Sequence, residues 1–318
     1  MPKKLVNRNP AVSDFRAEVL LGMEKQPRSI SPKFFYDSEG SRLFDEITRL
    51  PEYYPTESEI SILREKCSEL NQLSMGSEEG IELGSGNGKK AAILLDCFGK
   101  MNSYILVDIS ITALDEAMDS LSSKFSSMDI SAICVDYRDG KFMKQMEMQH
   151  PGKRMLIFLG STIGNMEPEE AMEFLKECRN SMMDGDRFLV GVDMKKDPEI
   201  IEKAYNDSSG VTAKFNLNLV ERMRRELGAE IPENAFAHMA YYNEGKGRIE
   251  MHLLCTMDFS MKVAGKEFIF RKGETIHTEN SYKYSAEEFS GMLKKAGFTK
   301  NSYLTDSRKF YGLFVADA

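Results

Sequence analysis

The residues with the strongest chemical signal form a glycine-rich turn, Glu82-Leu-Gly-Ser-Gly-Asn-Gly-Lys-Lys90. The turn falls where a predicted buried strand runs into a helix, and its glycines allow a ligand to approach the backbone closely. A Walker A loop is one residue longer and requires Ser or Thr where Lys90 stands. A dinucleotide fingerprint requires a third glycine where Lys89 stands. The pattern therefore favours a ligand with a ribose and a carboxylate but no phosphate.

Acidic residues end the next two predicted strands. Asp108 lies 20 residues after Gly88, where a carboxylate can accept hydrogen bonds from ribose hydroxyls. Asp136 and Tyr137 end the third strand, at the same edge of the sheet, where they can meet an adenine. Asp108 alone is equally well explained as a turn or helix-capping residue, and Asp136 alone is better explained as structural. Combined with the glycine turn, they predict a nucleoside site.

The elements that must position these residues alternate between strand and helix. After a helical stretch at 57–73, the apolar patterns predict strands ending at residue 83 and covering 104–108, 131–135, 155–159 and 187–192, with helices at 90–97, 111–124 and 169–179. Strands that alternate with helices of this length indicate a parallel sheet covered on both faces.

After Asp193 the pattern changes. Residues 197–226 are predicted to be helical and 238–270 to form antiparallel strands, before a helix at 286–296 and a closing strand at 310–316. We therefore expect two domains. Residues 61–195 plus 286–318 would form the cofactor-binding domain, and residues 1–60 plus 196–285 would form an α+β substrate-binding lid inserted into it.

Composition narrows the possible function classes. The chain has 318 residues and a net charge of −8, which does not suit non-specific nucleic-acid binding. The five scattered cysteines predict reduced thiols, and no apolar run reaches the roughly 20 residues of a membrane span. The four histidines show no metal-ligand spacing. We expect a cytoplasmic monomer without a metal, a membrane or a nucleic-acid partner.

Several longer motifs resemble those of the histidine-specific methyltransferase family. They are the stretches 34–45, 47–56, 158–165 (Phe-Leu-Gly-Ser-Thr-Ile-Gly-Asn) and 204–216, in that order. The resemblance runs from about residue 15 to the C-terminus. It implies a Rossmann-like class I methyltransferase sheet, S-adenosylmethionine (SAM) as cofactor, and Nα-methylation of L-histidine, the first step of ergothioneine biosynthesis. Trimethylation would give hercynine.

The resemblance also assigns residues to roles. The cofactor would contact Tyr53, Gly84, Gly86, Lys90, Asp108, Asp136 and Tyr137. Tyr36 and Phe44 would take the catalytic positions beside the reacting amine. The amino acid would further contact Tyr53, Gly160, Asn165, Tyr205, Thr212, Met251, Glu279 and Ser281.

The chemistry of these side chains suits the assigned roles. Glu279 and Ser281 are two residues apart, so on a strand they project to the same side. A carboxylate and a hydroxyl there can hold the two ring nitrogens of an imidazole in one tautomer. Asn165 and Tyr205 offer neutral donors to an α-carboxylate, and aromatic rings such as Tyr36 attract a methylammonium.

Other interpretations stay open at this point. Tyr36, Phe44 and Met251 are residue types that usually lie in cores, and Glu279 could be a solvated charge at a strand edge. The protein could methylate another small amine or a protein side chain, or bind the cofactor and an amino acid as a sensor without turnover. An NTPase is the weakest alternative, because the glycine turn does not match a phosphate-binding loop.

Overall fold

The chain folds into two compact units in a computed structural model that describes residues 4–7, 14–99, 101–138, 142–143 and 153–318. The first unit comprises the described residues of 1–11, 57–194 and 284–318. The second comprises those of 12–56 and 195–283. Strands and helices are numbered below in chain order.

Eight described strands of the first unit form one sheet, in the order β1-β5-β4-β3-β6-β7-β14-β13. Their bounds are β1 Lys4–Asn7, β3 Glu79–Leu83, β4 Ser103–Asp108, β5 Asp129–Cys134, β6 Arg154–Phe158, β7 Arg187–Asp193, β13 Lys300–Thr305 and β14 Tyr311–Asp317. The helices are α3 Tyr54–Glu65, α4 Cys67–Ser74, α5 Lys89–Cys97, α6 Ile111–Lys124, α7 Pro168–Asn180 and α10 Ala286–Lys295.

Burial explains why these strands lie in the middle of the sheet. All five residues of β3 and all five of β6 are buried, which is typical of parallel strands covered on both faces. Strand order reverses between β3 and β6, so the loops after their carboxyl ends diverge and leave a crevice at that edge. The glycine turn after β3 lies at this edge, as predicted.

The predicted α/β class with an inserted α+β unit is confirmed, and helix α6 has the predicted bounds. One segment differs from the expected division of the chain. The expected division places residues 1–60 in the lid, whereas strand β1 pairs in parallel with β5 at the edge of the large sheet. It is four residues long and mostly exposed, so it carries no apolar pattern that a sequence can reveal.

The second unit contains a four-stranded sheet in the order β2-β12-β9-β8 and a hairpin of β10 and β11. The strands are β2 Arg28–Ser29, β8 Phe236–Asn243, β9 Arg248–Cys255, β10 Phe259–Val263, β11 Lys266–Phe270 and β12 Thr275–Tyr282. The helices are α1 Phe15–Glu24, α2 Ser38–Ile47, α8 Pro198–Tyr205 and α9 Val211–Leu227. None of the described helices is both long and apolar enough to span a membrane.

Helix α9 is tied to the sheet of the second unit by a buried amide. Asn216 of α9 donates to the carbonyl of His252 in β9 at 2.9 Å. It also accepts from the hydroxyl of Thr278 in β12 at 2.8 Å. Both side chains are fully buried, so these bonds fix the helix against two strands at once.

The prediction that all cysteines are reduced is wrong for one pair. Cys67, the first residue of α4, and Cys97, the last residue of α5, form a disulfide with their Cα atoms 5.2 Å apart. They are separated by 30 positions in the chain, and sequence spacing does not show that two helices bring them together. Cys134, Cys178 and Cys255 are free and buried.

We expect three reactive thiols when protein purified without reductant is unfolded and labelled with a maleimide, because three of the five cysteines are free. After reduction, all five should react. Intact-mass spectrometry counts the labels. Cys67→Ser should raise the unreduced count because it releases Cys97, whereas Cys178→Ser should lower it. Five labels without reduction would contradict the disulfide.

Candidate functional site

The glycine turn after β3 needs glycine for two different reasons. Gly84, Gly86 and Gly88 have φ values of +69°, +52° and +72°, in the left-handed region that side chains disfavour. A Cβ at Gly88 would lie 2.9 Å from the Cβ of Ala117, so this glycine lets α5 approach α6. A Cβ at Gly86 would meet no atom within 4 Å, so the backbone there faces open space that a ligand can enter.

Asp108, at the end of β4, combines the two roles that the sequence left open. One carboxylate oxygen accepts from the backbone N–H of Gly86 at 2.9 Å, and the other accepts from that of Ser110 at 2.9 Å. Each oxygen has a second lone pair, so the carboxylate can also accept from ribose hydroxyls. Burial raises the pKa of Asp108. The residue therefore fixes the glycine turn and keeps acceptors for a ligand.

Asp136 and Tyr137 follow β5 at the same edge. The side chain of Asp136 is 38% exposed and accepts from the backbone N–H of Arg138. The Tyr137 ring packs edge-on against Phe158, with 5.6 Å between centroids, and lies 3.7 Å from the position of a Cβ on Gly84. Burial raises the pKa of Tyr137, so its hydroxyl stays neutral. This ring forms an apolar wall next to the glycine turn.

Glu59 of α3 is a residue of this unit that the sequence analysis missed. Its carboxylate accepts from Lys90 Nζ at 2.9 Å, from the backbone N–H of Gly160 at 2.9 Å and from the Tyr311 hydroxyl at 2.6 Å. Glu59 is 1% exposed. The predicted residues Lys90 and Gly160 are therefore brought together by a glutamate that resembles an ordinary helix-surface charge in the sequence.

The loop after β6 holds a strained residue. Ser161 adopts a φ of +56°, which is uncommon for a residue other than glycine, and such strain often lies at functional sites. Its hydroxyl accepts from the backbone N–H of Asp193 at 2.8 Å, and its carbonyl accepts from that of Gly164. These bonds position the 3₁₀ turn Thr162–Asn165, at whose end the predicted Asn165 lies.

In the second unit, four of the predicted residues form a chain of aromatic rings. Centroid distances are 5.6 Å from Tyr36 to Phe44, 6.3 Å from Phe44 to Tyr53, and 6.4 Å from Tyr53 to Tyr205. Phe215 of α9, which the sequence analysis did not select, packs against both Tyr36 and Phe44. Tyr36 is 39% exposed, whereas Tyr205 is buried.

Glu279, Ser281 and Met251 lie on one face of the four-stranded sheet, because Glu279 pairs with Met251 across the β9–β12 ladder and Ser281 lies two residues further on. Glu279 is buried, and no described residue donates a hydrogen bond to it. Burial raises the pKa of Glu279 to about 7, although the nearby Lys283 ammonium lowers it. Thr212 lies beside Asp207, whose carboxylate accepts from the Thr212 backbone N–H at 2.8 Å. A buried carboxylate without a hydrogen-bond donor, such as Glu279, calls for a partner that a ligand can supply.

Lys283 is the second residue that the sequence analysis missed. Its ammonium donates to Ser281 Oγ at 2.8 Å and to the Tyr205 hydroxyl at 3.4 Å, and the residue is 2% exposed. It connects the aromatic chain to the Glu279–Ser281 face. Lys283 directly follows β12, and the spacing of two between 279, 281 and 283 is the signal that could have identified it.

Two of the four histidines lie together, although the sequence spacing suggested that they were dispersed. The rings of His252 and His277 are 5.0 Å apart, next to the Glu250 carboxylate, and these three residues could hold a metal ion. The Glu250 carboxylate already accepts from Arg248, and the hydroxyl of Tyr241 also donates to it. The Arg248 guanidinium places a positive charge where a cation would have to bind.

The first unit thus carries the features of a class of enzymes. The sheet is mostly parallel, with β14 antiparallel to β7 and β13. Its edge holds a glycine turn, an acceptor carboxylate and a tyrosine wall that fit a nucleoside, and this protein is a SAM-dependent methyltransferase. The chain belongs to the family described as "Histidine-specific methyltransferase, SAM-dependent", whose model matches residues 15–318.

Curated relatives agree with this assignment. The chain is 37% identical over 313 residues to the histidine N-alpha-methyltransferase of Mycolicibacterium smegmatis, covering 96% of this chain and 95% of that one. It is 36% identical to the enzyme of the same name from Mycobacterium tuberculosis, covering 95% and 94%. It is 31% identical to ergothioneine biosynthesis protein 1 of Neurospora crassa, covering 91% of this chain but 33% of that one.

Glu59→Ala should lower the free energy of unfolding by about 3 kcal/mol, because it leaves Lys90 and the Tyr311 hydroxyl without their acceptor. It should also weaken binding of S-adenosylhomocysteine, since helix α5, which follows the glycine turn, and the Gly160 loop lose their common anchor. Urea unfolding and calorimetric titration measure the two effects.

Glu65→Ala is the matched control, because Glu65 is exposed on the same helix. Its unfolding free energy should stay within about 0.5 kcal/mol of wild type. Unchanged cofactor affinity in a folded Glu59→Ala variant would contradict the role of Glu59 in the cofactor site.

Proposed function

We propose that this methyltransferase transfers methyl groups from SAM to the α-amino group of L-histidine, up to the trimethylated product hercynine. The observation that carries the proposal is the buried Glu279 carboxylate, which lies beside Ser281 on one strand face and has no described hydrogen-bond donor. The names of the two mycobacterial relatives support the same substrate. We further propose that the protein acts as a cytoplasmic monomer on the free amino acid.

The residues of the first unit suit the cofactor. Open space over Gly86, spare lone pairs on Asp108 and the ring of Tyr137 match the backbone approach, the ribose and the adenine in turn. When bound, SAM supplies a methyl group already activated on a sulfonium. The protein therefore has to bind, orient and desolvate the reactants. The family resemblance alone assigns four further residues to the cofactor, namely Tyr53, Gly84, Lys90 and Asp136.

The second unit suits an amino acid with a ring that can both donate and accept. We propose that Glu279 accepts from one ring N–H and that Ser281 donates to the other ring nitrogen. Met251 packs beside them, and the Tyr205 hydroxyl donates to the α-carboxylate. Gly160 and Asn165 belong to the first unit, and Thr212 lies on α9. Their contacts with the amino acid follow the family resemblance.

The amine must lose a proton before each transfer, because its lone pair attacks the methyl carbon. We propose that the aromatic rings of Tyr36 and Phe44 face this amine and attract it as it becomes a methylated cation. Neither ring removes the proton as a base. A water molecule or a tyrosine hydroxyl would relay the proton to solvent.

A panel of the twenty amino acids, incubated with SAM and the purified protein and followed by mass spectrometry, tests the proposal. Gains of one, two and three methyl groups on histidine alone are the expected result. A gain on another amino acid alone would keep the chemistry and overturn the role of Glu279. Binding of the cofactor with no product from any amino acid would favour a sensor or a protein substrate.

Glu279→Gln should lower kcat/KM for histidine about 10- to 100-fold, mainly through KM, because it removes a charged hydrogen-bond acceptor. Affinity for S-adenosylhomocysteine should not change. Glu233→Gln, at an exposed position of the same unit, is the matched control and should behave as wild type. An equal loss of cofactor and histidine binding would contradict the assignment.

The difference between wild type and Glu279→Gln should depend on pH. Burial raises the pKa of Glu279 to about 7, so the carboxylate protonates and loses its acceptor function as the pH falls through that value. The ratio of wild-type to Glu279→Gln kcat/KM should therefore be largest above pH 7 and approach one below pH 6. This ratio cancels the titration of the substrate, which both proteins share. A ratio independent of pH would show that Glu279 does not titrate in this range.

A further inference from the structure

The environment of Lys283 determines how two neighbouring hydroxyls can act. An ammonium group donates hydrogen bonds and cannot accept them. Lys283 Nζ lies 2.8 Å from Ser281 Oγ and 3.4 Å from the Tyr205 hydroxyl oxygen, so both oxygens accept from it. A hydroxyl that accepts from an ammonium must direct its own hydrogen elsewhere. The Ser281 and Tyr205 hydroxyls therefore act as donors, rather than acceptors, toward any further partner.

We propose that Lys283 is a positioning residue that makes the enzyme bind the neutral imidazole of histidine in one tautomer, an inference that rests on the proposed function. With Ser281 fixed as a donor, the ring nitrogen it faces has to carry a lone pair. Glu279 accepts from the N–H of the other ring nitrogen. An imidazolium has two N–H groups and would direct one of them at the Ser281 hydrogen.

The positive charge of Lys283 favours the neutral imidazole, as its hydrogen bonds do. The Lys283 ammonium repels an imidazolium in a buried site where water screens little. It also favours the ionised form of Glu279, whose carboxylate is the acceptor this arrangement needs. Tyr205, at the end of α8, accepts from Lys283 through its hydroxyl, and its carbonyl contacts His238 of β8. Burial lowers the pKa of His238, which donates to the Tyr205 carbonyl and accepts from Asn216, so it adds no charge.

A lysine retained only for packing would act differently. Loss of such a residue would weaken the fold and reduce binding of every amino acid to a similar extent, whatever the protonation state of the ligand. Loss of a lysine that makes the neighbouring hydroxyls act as donors should instead change which protonation form of histidine is bound. Direct observation of the protons on the bound ring separates these two roles.

The test is the nitrogen NMR spectrum of ¹⁵N-labelled L-histidine bound to the protein together with S-adenosylhomocysteine, recorded at several pH values. For wild type we expect one protonated and one unprotonated ring nitrogen, held down to a pH at which free histidine is an imidazolium. For Lys283→Met we expect imidazolium at that pH. Its histidine affinity should be at least tenfold weaker at pH 8, with a smaller loss at pH 6.

Two further variants complete the experiment. Lys283→Arg keeps the charge and the donors, and should restore the neutral tautomer at least in part. Lys246→Met removes an exposed lysine from the β8–β9 turn of the same sheet and should match wild type.

Several results would overturn the inference. The inference would be overturned if wild type binds histidine as an imidazolium, and this result counts even if Lys283→Met does not fold. A folded Lys283→Met that keeps the neutral tautomer and wild-type affinity would also overturn it. Failure of wild type to bind histidine at all would instead overturn the proposed function on which the inference rests.

Discussion

The cofactor edge of the first unit depends on one buried carboxylate. Glu59 accepts hydrogen bonds from α5, from the loop after β6 and from β14, through Lys90, Gly160 and Tyr311. A buried charge is tolerable only when it is paired and hydrogen-bonded, and here all three donors come from different elements. A shift of any one of these elements would leave the charge less satisfied, so the helix, the loop and the strand are held in one arrangement. The glycine turn can then present its backbone without support from a ligand.

The second unit uses the opposite arrangement. Glu279 is buried without a hydrogen-bond donor from the described chain. Unsatisfied buried groups reduce stability, and proteins retain them mainly where a ligand completes the bonds. Glu59 and Glu279 are thus both buried glutamates, but only Glu59 is saturated by the protein. This difference distinguishes a structural anchor from a binding group.

Local patterns predicted the elements, whereas contacts between distant segments were invisible. The apolar strands at 104–108 and 155–159 and helix α6 follow from periodicity, and the common face of Glu279 and Ser281 follows from the strand repeat of two. Strand β1 is too short and too exposed to show a pattern. Glu59 and the Cys67–Cys97 pair acquire their roles from partners that only the folded chain supplies, so residue type and spacing gave no sign of them. Lys283 differs, because its spacing of two from Ser281 is visible in the sequence, and only its contact with the Tyr205 hydroxyl required the folded chain.

The aromatic residues that we propose to face the amine suit the chemistry of repeated methylation. Each transfer replaces an N–H by a methyl group, so an acceptor such as a carboxylate loses its hydrogen bond as the reaction proceeds. An aromatic face attracts a cation without needing an N–H, and its attraction persists for a quaternary ammonium. The chain of Tyr36, Phe44 and Tyr53, buttressed by Phe215, offers such faces at centroid spacings of 5.6 to 6.3 Å. On the proposed function, the pocket therefore recognises the ring of histidine by hydrogen bonds and its changing amine by aromatic surfaces. One site can then accept the substrate and both partly methylated intermediates.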